Sequence, residues 1–367
     1  MKISASKSEL IKSINIVLRA VPSKTTMNIL NCILIDASVD EIRLTANDME
    51  LGIETIVQGT ILQRGIICLD AKLLSEIVRK LPDAEVVIET DDNYQTLITS
   101  ENSVFHIVGK DPSEFPHLPL IEKEDPVVLS QFQLREIIRQ TIFSIALNDS
   151  NRILTGEYLE IRENELRIVG LDGHRIAIRQ LTLDKSYHEH KVIIPGKTLS
   201  ELMKILTGEQ DDLVSLYFTR NEILFEMDGT VVISRLIEGN YFRIDQMLSN
   251  DYETTVVLKK TDFMNSVDRA MLFTSEAEKR PLVLSVESNN INMKINSQLG
   301  SMSDTLEIEK EGKDLKIGFN PKFILDALRV IDDEKITVYF LNAKAPCFIK
   351  DEEQSYIYMV LPVNFVN

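Results

Sequence analysis

The chain contains few of the residues that stabilise secreted or metal-binding folds. Of its 367 residues only three are cysteines, Cys32, Cys68 and Cys347, and each lies in an apolar, strand-like stretch. Three scattered cysteines give neither a disulfide framework nor the spacing of a zinc site. The sequence also lacks a cleavable signal and any apolar run long enough to span a bilayer. We therefore expect buried, reduced thiols in a protein that stays in the cytoplasm and has no membrane partner.

Aromatic residues and positive charge are also scarce. Tryptophan is absent, aromatic residues make up 6% of the chain, and the formal net charge is −17. Binding of single strands on stacked aromatic side chains, or of a duplex over a whole basic surface, requires more of both. The remaining composition, 44% hydrophobic and 26% charged, is typical of a globular protein. Contact with DNA would have to be local, because salt screens exposed charges beyond about 8 Å.

A charged pattern recurs three times at an interval of 125 residues. Each copy has a basic, an acidic and a basic residue at positions i, i+4 and i+7, which lie on one face of a helix. In each copy a row of mostly apolar residues starts at the position after the first basic residue, at Leu73, Thr198 and Phe323. Such a row predicts the face of the helix that packs on the core. The simplest interpretation is one amphipathic helix used three times. The charged sets are Lys72, Glu76 and Arg79; Lys197, Glu201 and Lys204; and Lys322, Asp326 and Arg329.

The rest of each copy predicts an α+β domain. A second amphipathic helix opens each copy, near residues 10–17, 134–141 and 263–270. We predict three tandem, similar domains, each with two helices covering one side of antiparallel sheet. The domain boundaries follow from a proline-rich stretch at 111–119 and from the points at which the pattern of helices and strands starts again. They place the domains at 1–121, 122–249 and 250–367. Alternating runs predict strands at 41–45, 85–90, 96–100, 165–169, 213–219, 222–227, 335–341 and 347–350.

Three short segments carry a resemblance to a known family. Residues 172–177 read Asp-Gly-His-Arg-Ile-Ala, residues 114–119 read Glu-Phe-Pro-His-Leu-Pro, and residues 358–363 form an apolar-Pro-apolar ending. Together with the three repeats, these segments resemble the bacterial DNA polymerase III β subunit, or sliding clamp, family. The resemblance implies the DNA clamp fold and a closed ring of two chains joined head to tail. Helices would line the inside, sheets would form the outside, and double-stranded DNA would pass through without sequence preference.

Such a ring would let an acidic protein hold DNA through a locally basic lining. Each repeated helix has a small basic excess, which suits a protein on which the duplex must slide. Lys24 stands where the family has a basic residue that touches DNA, and the opening helices add basic residues such as Arg135. The predicted DNA contacts are Lys24, Lys72, Arg79, Arg135, Lys197, Lys204, Lys322 and Arg329.

The resemblance also implies two kinds of protein contact. In the dimer, Leu272 and Phe273 of one chain would meet Phe105, Ile107 and Leu74 of the other. A cleft between the second domain and the C-terminus would bind short peptides of the replicative polymerase catalytic subunit, the clamp loader, and other polymerases and repair proteins. We expect the last strand of the chain to be an edge strand that can pair with such a peptide. The cleft residues would be Leu154, Leu171, Gly173, His174, Arg175, Ile176, Met247, Met359, Leu361, Pro362, Val363 and Asn364.

The sequence departs from the family at four of its characteristic positions. Asn28 and Phe242 replace prolines, Leu171 replaces a threonine, and Asn364 replaces an arginine. The last three bear on the rim of the cleft and on its preference among peptides.

An enzyme and a protein scaffold that never touches DNA are the alternatives. His174 near Asp172 could serve acid–base catalysis, and His188 with His190 could share a metal. Yet the sequence contains no nucleophile elbow, phosphate loop or His-Glu-x-x-His motif. A metal-dependent nucleic-acid enzyme would need clustered acids, whereas the paired acids of this chain lie in predicted turns. We predict a processivity subunit without catalytic residues, cofactor or metal.

Overall fold

The computed structural model describes residues 1–274 and 280–365, which form six α-helices and twenty-four strands. The helices are α1 (Lys7–Val17), α2 (Ala71–Lys80), α3 (Gln131–Arg139), α4 (Gly196–Leu202), α5 (Lys260–Met271) and α6 (Pro321–Leu328). The strands are β1 (Lys2–Ser6), β2 (Cys32–Asp36), β3 (Ile42–Asn47), β4 (Leu51–Val57), β5 (Thr60–Gln63), β6 (Ile66–Asp70), β7 (Glu85–Thr90), β8 (Gln95–Ser100), β9 (Ser103–Val108), β10 (Val127–Ser130), β11 (Gly156–Leu171), β12 (Arg175–Pro195), β13 (Leu213–Phe218), β14 (Glu222–Met227), β15 (Thr230–Arg235), β16 (Thr254–Lys259), β17 (Leu282–Glu287), β18 (Asn290–Ser297), β19 (Gly300–Glu307), β20 (Glu309–Gly312), β21 (Leu315–Phe319), β22 (Lys335–Phe340), β23 (Cys347–Lys350) and β24 (Tyr356–Val360).

The chain divides into two compact units. The first unit comprises Met1–Phe132 and Lys204–Leu236, and the second comprises Gln133–Met203 and Ile237–Asn367. The first holds a five-stranded sheet of order β5-β1-β7-β8-β9 and an eight-stranded sheet of order β10-β13-β14-β15-β4-β3-β2-β6. The second holds a seven-stranded sheet of order β11-β12-β24-β23-β22-β16-β20 and a four-stranded sheet of order β19-β18-β17-β21. Neighbouring strands pair antiparallel, as predicted for an α+β fold.

Local sequence explains where the repeated helices begin. α2 follows Asp70, whose carboxylate accepts the backbone N–H of Leu73 (2.8 Å), and α6 follows Asn320, whose side chain accepts that of Lys322 (3.1 Å). α2 ends with two basic residues in its last turn, where positive charge is favoured by the helix dipole. The three helices predicted from the 125-residue repeat are confirmed, because α2, α4 and α6 lie at the predicted places.

Two details of the predicted helices are wrong. α4 and α6 end before Lys204 and Arg329, so these basic side chains follow the helices instead of lying within them. Leu73, the first position of the predicted core stripe, is 44% exposed, and the apolar face of α2 that packs on the core starts at Leu74. A helix packed on one side buries positions at i, i+3, i+4 and i+7, which leaves the residue before Leu74 outside the contact.

The strand register repeats between the two units. In the first unit β2 pairs with β6 and β3 pairs with β4. In the second unit the two halves of β11 pair with the two halves of β12 in the same manner. Matching positions are 124 residues apart, as in the pairs Ile42–Val57 and Leu166–Leu181. Each long strand of the second unit thus corresponds to two strands of the first.

A tight turn accompanies this repeat. The side chains of Asp48 and Asp172 each accept the backbone N–H of the residue three positions later, at 2.7 and 3.1 Å. The residues that follow them, Met49 and Gly173, have positive φ angles of 75° and 83°. The matching turns show that the similarity between the copies extends to hydrogen bonds.

Both large sheets join strands that belong to successive repeats. In the first junction β15 pairs with β4, with Val232 opposite Ile53. In the second junction β24 pairs with β12, with Tyr358 opposite Ala177. Because β24 also pairs with β23, the last strand lies inside its sheet, and the prediction that it is an edge strand is wrong.

Candidate functional site

The candidate peptide site is built on the turn between β11 and β12. The side chain of Asp172 accepts the backbone N–H groups of His174 (3.0 Å) and Arg175 (3.1 Å), which fixes the turn. Gly173 has a φ of 83°, a conformation that costs other residues about 1 kcal/mol or more. No described atom outside its chain neighbours lies within 4 Å of the place that its Cβ would take. The turn therefore exposes backbone to which a ligand could come close.

Arg175 anchors this turn to α6. Its buried guanidinium contacts Asp172 (Nε to Oδ2, 3.0 Å) and Asp326 of α6 (Nη1 to Oδ2, 2.7 Å), and it donates to the carbonyl oxygen of Phe143. The guanidinium also lies over the ring of Phe323, 4.5 Å from its centroid. With these partners, Arg175 holds the turn from within. It supports the predicted cleft and does not line it.

Apolar side chains beside the turn form one cluster. Leu171, Ile176 and Met359 are buried in this cluster, whereas Leu154 and Leu361 pack against it and are half-buried. The structure thus brings together five residues from three separate parts of the sequence, near 154, 171–176 and 359–361. The other predicted cleft side chains are half-buried or exposed: His174, Met247, Pro362, Val363 and Asn364.

The C-terminal segment is held by its own chain. The backbone N–H of Leu361 donates to the carbonyl oxygen of His174 (2.9 Å), and that of Val363 donates to the carbonyl oxygen of Gly318 (2.8 Å). Phe365 packs so closely on Gly318 that a Cβ there would lie 2.7 Å from its ring. These contacts make residues 361–365 a fixed wall beside the turn.

Sequence reasoning missed two residues that build this site, Phe143 and Phe323. The ring of Phe323 contacts Arg175 and lies 6.0 Å from the ring of His174, nearly parallel to it. A signal for Phe323 was present, because it is aromatic where the other two copies have leucine and threonine. Phe143 gives no comparable signal in the sequence; it accepts the hydrogen bond through its backbone carbonyl, and its ring centroid lies 5.3 Å from the guanidinium carbon of Arg175.

The eight predicted DNA contacts all have exposed side chains. Lys322 pairs with Asp326 (2.8 Å), and Arg329 pairs with Asp268 of α5 (3.3 Å). Asp326 was expected on the exposed charged face of its helix, but its side chain is only 12% exposed. This expectation is wrong because the buried guanidinium of Arg175 draws the carboxylate inward.

The residues predicted for the chain-to-chain contact fall in two regions. Phe105 and Ile107 are half-buried on β9, an edge strand of the five-stranded sheet. Leu272, directly after α5, is 74% exposed beside the half-buried Phe273. Leu74 is fully buried in its own core, so the prediction that it contacts another chain is wrong.

The described residues provide neither a reactive thiol nor a cluster of metal ligands. The three cysteines are free and buried, as predicted, and burial raises the pKa of Cys68 and Cys347 to about 12, which keeps these thiols protonated. Across residues 1–274 and 280–365, no three His, Cys, Asp or Glu side chains lie together where they could hold a metal ion. None of the helices in this part of the chain is long and apolar enough to cross a membrane.

Repeated helix pairs and antiparallel sheets that are shared between successive repeats define the class of this protein, the three-domain DNA clamp fold. Family models of the DNA polymerase III beta subunit match residues 1–119 (N-terminal domain), 128–242 (central domain) and 245–364 (C-terminal domain). The chain belongs to the DNA polymerase III beta subunit family. The family, the clamp fold and the sliding clamp function predicted from the sequence are confirmed, and the family is that of a processivity factor that is not itself an enzyme.

Individual relatives agree with this assignment over the whole chain. The chain is 35% identical to the beta sliding clamp of Bacillus subtilis (strain 168) over 376 residues, which cover 99% of both proteins. It is 33% identical to that of Staphylococcus aureus (strain N315) over 374 residues, again 99% of both. Among solved structures, a protein of Eubacterium rectale described as a DNA polymerase III beta subunit is 56% identical, with a TM-score of 0.97 over 100% of both chains. The sliding clamp of B. subtilis superposes with a TM-score of 0.96 over 100% of both chains.

Proposed function

We propose that two copies of the chain close head to tail into a ring around double-stranded DNA. The observation that supports this proposal is that three junctions between repeats are expected, and strand pairing within the chain forms two of them. The first and second junctions pair β15 with β4 and β24 with β12. The strands that would form a third junction, β9 and β19, both lie at sheet edges. A heterologous contact between β9 of one copy and β19 of another can close into a ring.

The repeat predicts the register of this third junction. Ile53, Ala177 and Met302 are matching positions of β4, β12 and β19, spaced 124 and 125 residues apart. Val232 of β15 matches Phe105 of β9, because each is the third residue after a tight hairpin turn. Since Val232 lies opposite Ile53 in the first junction, we expect Phe105 of the partner subunit to lie opposite Met302.

This register brings together the apolar residues predicted for the dimer. It places Ile107 of the partner subunit opposite Gly300, the first residue of β19. A Cβ at Gly300 would lie 3.3 Å from the ring of Phe273, so Phe273 borders that position. Leu272 precedes Phe273 and is largely exposed in the single chain. Burial of one such side chain contributes about 1.5–3 kcal/mol, which favours a stable contact.

Replacing Leu272 and Phe273 together by alanine should give a folded monomer, because the apolar part of the contact is removed. Light scattering over a dilution series measures the mass, and circular dichroism checks the fold. Leu147→Ala is the matched control, since Leu147 is 91% exposed and lies away from β9 and β19 in the sequence. A double mutant that remains dimeric at sub-micromolar concentration contradicts the assignment. A separate experiment tests the register. The double variant Phe105→Cys with Met302→Cys should form a disulfide between the two chains, whereas Phe105→Cys with Leu306→Cys should not.

We further propose that the ring tethers its partners through the cleft at the turn of residues 172–175. The partners would be the replicative polymerase catalytic subunit, the clamp loader, and other polymerases and repair proteins that carry short clamp-binding peptides. The apolar cluster, the exposed Met247 and the open side of Gly173 support this site. Apolar walls with a few polar groups are typical of sites that bind short peptides.

A peptide of the type Gln-x-Leu-x-Leu-Phe should bind the cleft with a Kd of roughly 1 μM, about −8 kcal/mol. Removal of residues 361–367 should abolish this binding because it deletes the wall formed by Leu361, Pro362 and Val363. The deletion begins after β24, so the sheet and the dimer should remain intact. Fluorescence anisotropy with a labelled peptide measures the affinity. Undiminished binding by the truncated protein would show that the site lies elsewhere.

DNA would be held mainly by enclosure, with electrostatics assisting. The exposed basic residues at the repeated helices support a sequence-independent contact, and their small number predicts weak direct affinity that falls steeply with salt. We propose that the protein acts in the cytoplasm, where bacterial DNA is replicated.

A further inference from the structure

The two strand junctions within the chain each carry a polar pair at the same place. In the first junction Thr55 lies opposite Thr230, and their buried hydroxyl oxygens are 2.8 Å apart. In the second junction Arg179 lies opposite Tyr356, and its guanidinium carbon is 5.6 Å from the centroid of the tyrosine ring. Thr55 and Arg179 are 124 residues apart, which is the interval of the repeat between these strands. Each junction therefore has its own polar pair at a matching position.

The matching pair of the third junction is Asp304 with Ser103 of the partner subunit, an assignment that rests on the ring proposed above. Asp304 of β19 follows Arg179 by 125 residues. The register that places the partner subunit's Phe105 opposite Met302 also places the partner subunit's Ser103 opposite Asp304. In the single chain Asp304 and Ser103 are both half-buried, and each is two residues from Met302 or Phe105, on the same face of its strand. Closure of the junction would thus bring a hydroxyl group to a carboxylate.

The carboxylate of Asp304 is already held in place by α5. Its Oδ2 accepts hydrogen bonds from the hydroxyl of Ser266 (2.8 Å) and from the guanidinium of Arg269. Its Oδ1 accepts the backbone N–H of Thr305 (3.0 Å). The hydrogen bond from Arg269 holds the pKa of the Asp304 carboxyl below its usual value, so the group is ionised at neutral pH. Because a carboxylate has about four acceptor positions, it can accept one more donor without moving.

Neighbouring registers of β9 on β19 would give this carboxylate no donor. A slip of two residues in one direction would place Asp304 opposite the apolar ring of the partner subunit's Phe105. A slip of two in the other direction would place it opposite Glu101 of the partner subunit, where like charges repel. We propose that the hydroxyl of the partner subunit's Ser103 donates a hydrogen bond to the carboxylate of Asp304, and that this bond stabilises the ring in the proposed register.

A double-mutant cycle on the dimer tests this bond. Sedimentation velocity of the fluorescently labelled full-length protein over a dilution series measures the dimer Kd, and circular dichroism checks the fold of each variant. We expect Ser103→Ala to raise the Kd about tenfold or more, because a hydrogen bond to a charged group is lost. The same substitution should raise the Kd less than about twofold when Asp304 is already alanine. If Asp304→Ala does not fold, Asp304→Asn replaces it in the cycle and should also reduce the effect of Ser103→Ala, because the charge that strengthens the bond is gone.

Two further variants separate the hydroxyl from other properties of the strands. Ser103→Thr should keep the Kd within about threefold of the unmodified protein, because it retains the hydroxyl and because threonine occupies the matching place, Thr230, in the first junction. Ser303→Ala is the matched control and should have no effect, since Ser303 is exposed on the opposite face of β19.

Three results would overturn the proposal. The first is an unchanged Kd for folded Ser103→Ala while Phe105→Cys and Met302→Cys still form the disulfide between chains, which would leave the ring standing without this bond. The second is an equal effect of Ser103→Ala with and without the Asp304 carboxylate, which would show that the hydroxyl acts on another group. The third is failure of the disulfide itself, which would remove the junction and the bond together.

Discussion

A single buried carboxyl group, that of Glu157, makes the stability of the second unit depend on pH. Glu157, at the start of β11, is fully buried. Among the residues that the structure describes, neither of its carboxylate oxygens has a hydrogen-bond partner. Burial raises the pKa of Glu157 from 4.5 to about 8, although the nearby Thr141 hydroxyl opposes part of this change. The group is therefore mostly protonated at neutral pH, because ionising it in an apolar core is costly.

This carboxyl predicts that the protein loses stability as the pH rises. Because the pKa is higher in the folded state, folding is favoured most below the unfolded value of 4.5, and the advantage is lost as the pH rises through about 8. Between pH 5 and pH 8 the loss amounts to about 3.5 kcal/mol, and Glu157→Gln should remove it. Urea unfolding of both proteins at several pH values measures the difference. Parallel pH profiles for the two proteins would exclude this role.

At the scale of elements, the buried ion pair between Arg175 and Asp326 joins the turn of residues 172–175 to α6, and we predict that it supports the proposed cleft. Asp326→Asn should destabilise the second unit by about 2 kcal/mol and weaken binding of the cleft peptide, because the guanidinium of Arg175 loses one of its two carboxylates. Glu76→Gln is the matched control, since it occupies the same helix position in α2 and its side chain is exposed. Thermal unfolding and peptide titration measure both effects. Equal behaviour of the two variants would show that the ion pair does not support the cleft.

The elements differ in how far the sequence could predict them. β7, β14 and β23 have the predicted bounds because alternation along a strand is a local property. The position of β24 inside its sheet was not predictable, since it depends on pairing with β12 and β23, which are distant in the sequence. The same holds for Arg175 and Asp326, which are 151 residues apart. Each was assigned to a different surface, and only the fold reveals that they bind each other.

The proposed cleft depends mainly on the family resemblance. Periodicity alone marks Leu171 and Ile176 as core residues, and both are indeed buried. Nothing local indicates that the C-terminal segment would be fixed by hydrogen bonds to His174 and Gly318.

At the scale of the whole molecule, a chain with a net negative charge must hold DNA, which is also negatively charged. The formal net charge of −17 opposes a surface-wide grip on DNA, whereas enclosure needs only a few basic side chains. The predicted third junction supplies the enclosure, because the edges of β9 and β19 would each be covered by the other chain. The central claim is therefore topological: the duplex is retained because the ring is closed.

Retention on circular and linear DNA tests this claim most directly. The protein is placed on a nicked circular plasmid by a bacterial clamp loader, separated from free protein by gel filtration, and divided into two portions. One portion is cut once with a restriction enzyme. We predict that the protein remains on the circle at a salt concentration that abolishes direct electrostatic binding, and that it is lost from the linear DNA by sliding off the ends. Equal retention on both forms would contradict the account.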